Sequence, residues 1–127
     1  MDKVLTDFEL GWLTGLLEGE GGFQYGGNTQ TVRLEMTDED IVLKTAALIY
    51  KLIGRMPTIR EQFRGNKKHS ATYIFSISGS DAQRVMHTIV PHMGYRRRQR
   101  IWQALNCFKQ EKIDLTLSDL KLVSDNA

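Results

Sequence analysis

The sequence predicts an α+β fold, in which one antiparallel sheet is covered on a single face by helices. Three observations predict it. Apolar residues recur at helical spacing in some stretches and alternate in others. The stretches follow in the order αββαββα, with an extra C-terminal helix. Each adjacent strand pair is joined by a short polar or glycine-rich segment, which makes two hairpins. Two hairpins pair into one sheet, and helices cover one of its faces. A chain of 127 residues is enough for one core, so residues 1–127 are expected to form a single domain.

The elements follow in order. Residues 7–19 predict a helix capped by Asp7, with Leu10, Leu13 and Leu17 as its apolar stripe. Gly22 to Tyr25 and Thr31 to Met36 predict a hairpin around the turn Gly26-Gly27-Asn28. Thr37-Asp38-Glu39-Asp40 starts a second helix, with Ile41, Leu48, Ile49 and Leu52 among its apolar positions and Gly54 as its stop. Pro57 opens a strand from Thr58 to Arg64. The basic loop Gly65-Asn66-Lys67-Lys68-His69 leads to another strand, Ala71 to Ile77. Gly79-Ser80-Asp81 caps a third helix at about residues 81–90, broken by Pro91 and Gly94. A fourth runs from Tyr95 to Lys109, and Ser118-Asp119 caps a short final turn.

No apolar run approaches the length of a membrane span, and Met1-Asp2-Lys3-Val4 has no signal-peptide pattern. Cys107 is the single cysteine, which excludes an intramolecular disulfide and a thiolate zinc site. These features predict an intracellular protein (cytoplasm, nucleoid or organelle), not a secreted one. The net charge of +2 hides an asymmetry. Residues 1–40 hold nine acids and two bases, whereas residues 41–112 hold fourteen bases and three acids. A basic half with an acidic end suits a polyanion beside a cation site; a solvated helix surface gives the same asymmetry.

The densest chemistry lies in Leu13-Thr14-Gly15-Leu16-Leu17-Glu18-Gly19-Glu20-Gly21-Gly22-Phe23. An apolar helical run ends in two carboxylates. Gly19, Gly21 and Gly22 are expected to stop the helix through backbone angles closed to other residues. Glu20 then projects from the terminus beside the Gly19 carbonyl. Gly11, Gly15 and Gly19 recur four apart on one helix face. Two such helices can approach along that face and bring their carboxylates together, which makes an oxygen-lined site for a hard divalent cation. The plainer alternative is a core helix with a solvated acidic end. Exposed acids there cost about 0.3–1 kcal/mol each against the helix dipole, so two of them call for a compensating cation.

Read as L-T-G-L-L-E-G-E-G, this segment resembles the signature of the LAGLIDADG homing endonucleases. Leu13, Gly15, Leu16, Gly19 and Gly21 match letter for letter; Glu18 and Glu20 replace aspartates, with Thr14 for Ala and Leu17 for Ile. The element order is also that of the resembled fold. The resemblance implies that Glu20 is the metal-binding acid, that Gly19 offers its carbonyl, and that Glu18 is the lesser candidate with a structural role. It implies a basic residue shortly after a proline-containing turn, a place that Arg96 takes with arginine where lysine is usual. It also implies a polar residue after the second strand that orders water, placed here at Asp38. Asp38 is equally the N-cap of the second helix. The stretch Asp38 to Val42 departs from the family, which often carries a further basic residue there.

The face of the sheet away from the helices should carry Gln24, Arg33, Glu35, Arg60, Gln62 and Arg64. Glutamine and arginine pair bidentately with adenine and guanine edges, and a two-stranded ribbon fits the major groove. Lys67 and Lys68 at a hairpin tip, and Arg97, Arg98 and Arg100 on the fourth helix, suit phosphates. A solvated sheet face would also alternate, and the resemblance decides for DNA. The resemblance further implies a homodimer through Gly11, Trp12, Gly15 and Gly19. Its activity would be Mg2+-dependent double-strand cleavage, with Mn2+ as a substitute, at a long near-palindromic target, leaving short 3′ overhangs. Alternatives are a non-cleaving DNA-binding module, an intron-RNA maturase, and a dimer whose tips hold calcium structurally.

Overall fold

The computed structural model describes residues 4–63 and 71–105. The elements are α1 (Asp7–Glu20), β1 (Gly22–Gly26), β2 (Thr29–Met36), α2 (Glu39–Ile53), β3 (Arg60–Phe63), β4 (Ala71–Ser78), α3 (Gly79–Ile89) and α4 (Tyr95–Leu105). A 3₁₀ turn at Val90–His92 separates the last two helices. The strands form one antiparallel sheet in the order β1-β2-β4-β3. The α+β class and the order of elements are those the sequence predicts. Arg64, Lys67, Lys68, His69, Cys107 and the Ser118-Asp119 cap lie outside the described residues.

The start of α1 differs from the expectation. Thr6, not Asp7, is the N-cap. Its hydroxyl accepts from the Glu9 N–H at 3.0 Å, and the Glu9 carboxylate accepts from the Thr6 N–H at 3.0 Å. Thr-x-x-Glu is the reciprocal capping spacing, so the cap falls one residue earlier and leaves Asp7 in the first turn, where the dipole favours an acid. Lys51 of α2 also donates to Glu9, and this contact is the main reason the Glu9 carboxyl titrates below its ordinary range. It ties α1 to α2 at the end remote from Glu20.

The first hairpin turns through Gly27 (φ 59°) and Asn28 (φ 68°). Left-handed angles at both central residues match the twist of the flanking strands, and these residue types tolerate them best. α2 stops at Gly54 as expected. α3 starts two residues earlier than expected, with Ser78 at its N-cap and no side-chain cap bond. Asp81 is instead held by Arg55, whose Nε lies 3.0 Å from its Oδ2.

The core lies between the helices and one face of the sheet. Leu13 and Leu17 of α1, Val42, Ala46 and Ile49 of α2, Val85, Met86 and Ile89 of α3, and Ile101 of α4 are buried. They form one cluster with Phe23, Val32, Leu34, Phe75 and Ile77 from the strands. The register pairs Phe23 with Val32, Val32 with Ile77, and Leu34 with Phe75, so all five strand residues share a face. Alternation then places Gln24, Arg33, Glu35, Arg60 and Gln62 on the opposite, open face.

Candidate functional site

The last turn of α1 is built differently from the expectation. Gly21, the C-cap, has φ −76°, and neither Gly19 nor Gly22 takes a positive φ. Glycine serves here through close approach. A Cβ at Gly21 would lie 2.9 Å from the Leu17 carbonyl oxygen and 3.0 Å from Leu17 Cδ2. The chain can therefore leave the helix tight against its own last turn only without a side chain at this position. The helix continues through Glu20, one residue past the expected end.

The two carboxylates part company at this tip. Glu18 is half-buried, and its Oε1 accepts from the Gly94 N–H at 2.9 Å. Gly94 precedes α4, and its carbonyl accepts from the Arg98 N–H at 2.8 Å, so Glu18 caps α4. Glu20 is exposed and makes no hydrogen bond or ion pair among the described residues.

Arg97 lies in the first turn of α4. Its Nε donates to the Glu18 carbonyl at 2.8 Å and one terminal nitrogen donates to the Gly21 carbonyl at 2.6 Å. The other lies 3.4 Å from the Gly19 carbonyl. The helix therefore has a cation at its acidic end within its own chain, although its last turn carries no basic residue. Arg97 thus supplies a compensating positive charge of the kind that two acids there call for. Arg97, expected to hold phosphate, turns its guanidinium onto these carbonyls. Arg100 is exposed: its Nε donates to the Phe23 carbonyl at 2.8 Å, while its terminal nitrogens make no hydrogen bond among the described residues. Arg98 is half-buried, with an unpartnered Nε. Arg96 is exposed, with no hydrogen bond or ion pair among the described residues.

Asp38 is exposed at the N-cap position of α2 and makes no side-chain cap bond. Its carbonyl, not its carboxylate, accepts the first helical N–H groups, at 3.1 Å from Ile41 and 3.2 Å from Val42. β1 begins opposite Arg33, and β2 runs on past that point to Met36. Asp38 thus stands at the end of the sheet where α1 ends.

The glycine face of α1 is open. A Cβ at Gly11, Gly15 or Gly19 would meet nothing within 4 Å. Trp12 is half-buried on the flank of this face, with Lys44 Nζ of α2 4.5 Å from its ring centroid. The exposed apolar residue on the face is Phe8, at 74% exposure. Sequence reasoning missed it, although its spacing of three from Gly11 and seven from Gly15 places it there.

On the open sheet face, the Arg33 guanidinium lies 3.0 Å from Glu35 Oε1, and the Thr72 hydroxyl donates to Glu35 Oε2 at 2.9 Å. Ile74 lies between Glu35 and Arg60 in the register and is fully buried on this otherwise polar face. Thr72 and Ile74 were not anticipated, because the successive apolar residues Tyr73, Ile74 and Phe75 break the alternation that would assign β4 residues to a face.

The donor set at the tip suits a hard cation. Each chain offers one unpaired carboxylate and one adjacent carbonyl, both oxygen ligands of the kind that Mg2+ takes alongside water and phosphate. Among the described residues no three His, Cys, Asp or Glu cluster as a self-sufficient metal site.

The LAGLIDADG-like domain family matches residues 7–90, which span α1 to the end of α3 and leave the α4 arginines outside. No curated protein and no solved structure matches the chain. Among the described residues no helix is long and apolar enough to cross a membrane. With the acidic tip, the glycine face and the open sheet in the matched span, the chain belongs to the LAGLIDADG-like family.

Proposed function

We propose that this chain is one protomer of a homodimeric, site-specific DNA endonuclease. The observation that carries the reading is Glu20: an exposed carboxylate without a partner among the described residues, at the end of a helix whose glycine face is bare. Two helices meeting along Gly11, Gly15 and Gly19 would bring two such carboxylates to a common axis. Nuclease activity is the usual role in the family.

In this reading Glu20 and the Gly19 carbonyl hold Mg2+, with Mn2+ as a substitute. The ion supplies Lewis-acid polarisation of the scissile phosphate and lowers the cost of deprotonating water. Arg96 stabilises charge that develops on the phosphate; as an arginine it acts electrostatically and moves no proton. Asp38 accepts a hydrogen bond from the attacking water and orients it. Arg33 addresses guanine, and Gln24 and Gln62 address adenine, in the major groove. The Arg33–Glu35 pair is partly exposed, so it is worth about 0.2–1 kcal/mol. A bidentate base contact at about 1–3 kcal/mol can outcompete it. Two-fold symmetry implies a near-palindromic target, and one tip per strand implies double-strand cleavage; the short 3′ overhangs are what the family resemblance implies.

A second reading, a DNA-binding module that does not cut, is favoured by Arg97, which already supplies positive charge at the tip. Glu20→Gln separates the two. An endonuclease should lose on the order of 10³-fold in cleavage rate, the equivalent of several kcal/mol of lost metal assistance. Its duplex affinity should stay within a few-fold. A variant that still cuts overturns the assignment of Glu20, and a wild-type chain that binds without cutting supports the module.

A further inference from the structure

We infer that Arg97 is the positioning residue of the α1 tip, fixing the Gly19 carbonyl and, through the last helical turn, the Glu20 carboxylate. A helix C-terminus leaves its last carbonyls without intrahelical donors. Here three of them, from Glu18, Gly19 and Gly21, face one guanidinium at 2.8, 3.4 and 2.6 Å. The Gly21 N–H on the Leu17 carbonyl, Glu18 on Gly94 and the pairing of Gly22 with Arg33 hold the flanks of the tip, and none of them bonds the Gly19 carbonyl or the Glu20 carboxylate. Gly19, Gly21 and Gly22 carry no side chains to pack, and Glu20 makes no contact that would orient it among the described residues. The place of the carboxylate is therefore the place of the backbone, and the backbone is held by the fork of Arg97.

The fork itself stands on an anchored element. Glu18 caps α4 at Gly94, Arg100 bonds the Phe23 carbonyl of β1, and Gln30 Nε2 of β2 donates to the Ala104 carbonyl at 3.3 Å. α1 and α4 thus cap each other: a carboxylate of α1 serves the start of α4, and a guanidinium of α4 serves the end of α1. Lysine cannot reproduce this, because its single ammonium has no planar fork to reach three acceptors.

As a metal-site role, this inference rests on the proposed function; as a statement about the order of the tip, it does not. The test uses the full chain, its Arg97→Ala and Arg97→Lys variants, and a bound target duplex. Two readouts are followed: amide hydrogen exchange across residues 18–22, and Mn2+ binding to the complex by electron paramagnetic resonance. Loss of an outer partner of a metal ligand typically costs about 10–100-fold in metal affinity. Arg97→Ala should weaken Mn2+ binding within that range and speed exchange at the tip, with Arg97→Lys in between. Duplex affinity in EDTA should be unchanged. If Arg97→Ala fails to fold, Arg97→Lys carries the test alone. Variants with wild-type tip exchange and wild-type Mn2+ affinity overturn the inference. A wild-type complex that takes no Mn2+ overturns the functional reading, and tip exchange then decides the role of Arg97 by itself.

Discussion

The α1–α4 joint and the open sheet face use the same residue types to opposite ends. At the joint, Arg97 and Glu18 are spent on backbone groups, three carbonyls and one N–H. On the open face, Arg33 and Glu35 bond each other through their side chains, and Glu35 also accepts from the Thr72 hydroxyl. The difference arises from what lies nearby. A helix end supplies orphan carbonyls that draw a guanidinium inward, whereas a sheet interior has already paired its backbone and leaves side chains to one another or to a ligand. Arginine count alone therefore says little about nucleic-acid contact. Arg96 and Arg97 are adjacent, yet one is exposed without a partner among the described residues and the other is a structural fork.

The largest expected effect sharpens that contrast. Under the proposed function, Arg96→Ala should lower the cleavage rate by about 10²–10³-fold, the typical loss on removing one preorganised charge-stabilising group. The thermal midpoint should not move, which a melt beside a single-turnover assay would check. Loss of stability without loss of rate would place Arg96 with Arg97 in the joint.

Glycines along α1 divide in the same way. Gly21→Ala forces a Cβ to 2.9 Å from the Leu17 carbonyl oxygen, and should destabilise the protein by about 1–3 kcal/mol, as overpacking does. Gly15→Ala meets nothing and should stabilise the isolated chain by about 0.5–1 kcal/mol through helix propensity. The same added methyl should weaken dimerisation. Denaturant unfolding at low concentration and sedimentation at high concentration would show opposite signs for Gly15→Ala. A dimer of unchanged strength would remove that face from the interface.

The most local effect concerns the open face. Arg33→Ala should relax preference at one base position by about 1–3 kcal/mol and leave the other positions as they were. Competition binding with single-base variants of a selected target would measure it. A uniform loss across all variants would make Arg33 a phosphate contact.

The fold was legible because its periodicities are clean: alternating Val32 and Leu34 against Arg33 and Glu35, and the helical stripe Leu13 and Leu17. The tip was legible as a motif, and the structure gives its two acids different surroundings, Glu18 bonded to the Gly94 N–H and Glu20 exposed. What the sequence hid was long-range. The contact between Arg97 and the end of α1 spans nearly eighty positions, and no local pattern distinguishes Arg97 from Arg96 or Arg98. Gly21 was read as a source of backbone freedom, yet its value is the absence of a methyl beside Leu17. Ile74 looked like any core residue, because β4 has apolar residues on both faces.

The most direct test of the central claim is a cleavage selection. The full chain would be incubated with a randomised or genomic duplex library, once with Mg2+ and once with EDTA, and new DNA ends sequenced. The account predicts ends that require Mg2+, cluster at one near-palindromic site and carry short 3′ overhangs. A specific duplex retained intact under both conditions would contradict it and leave a DNA-binding module built on this fold.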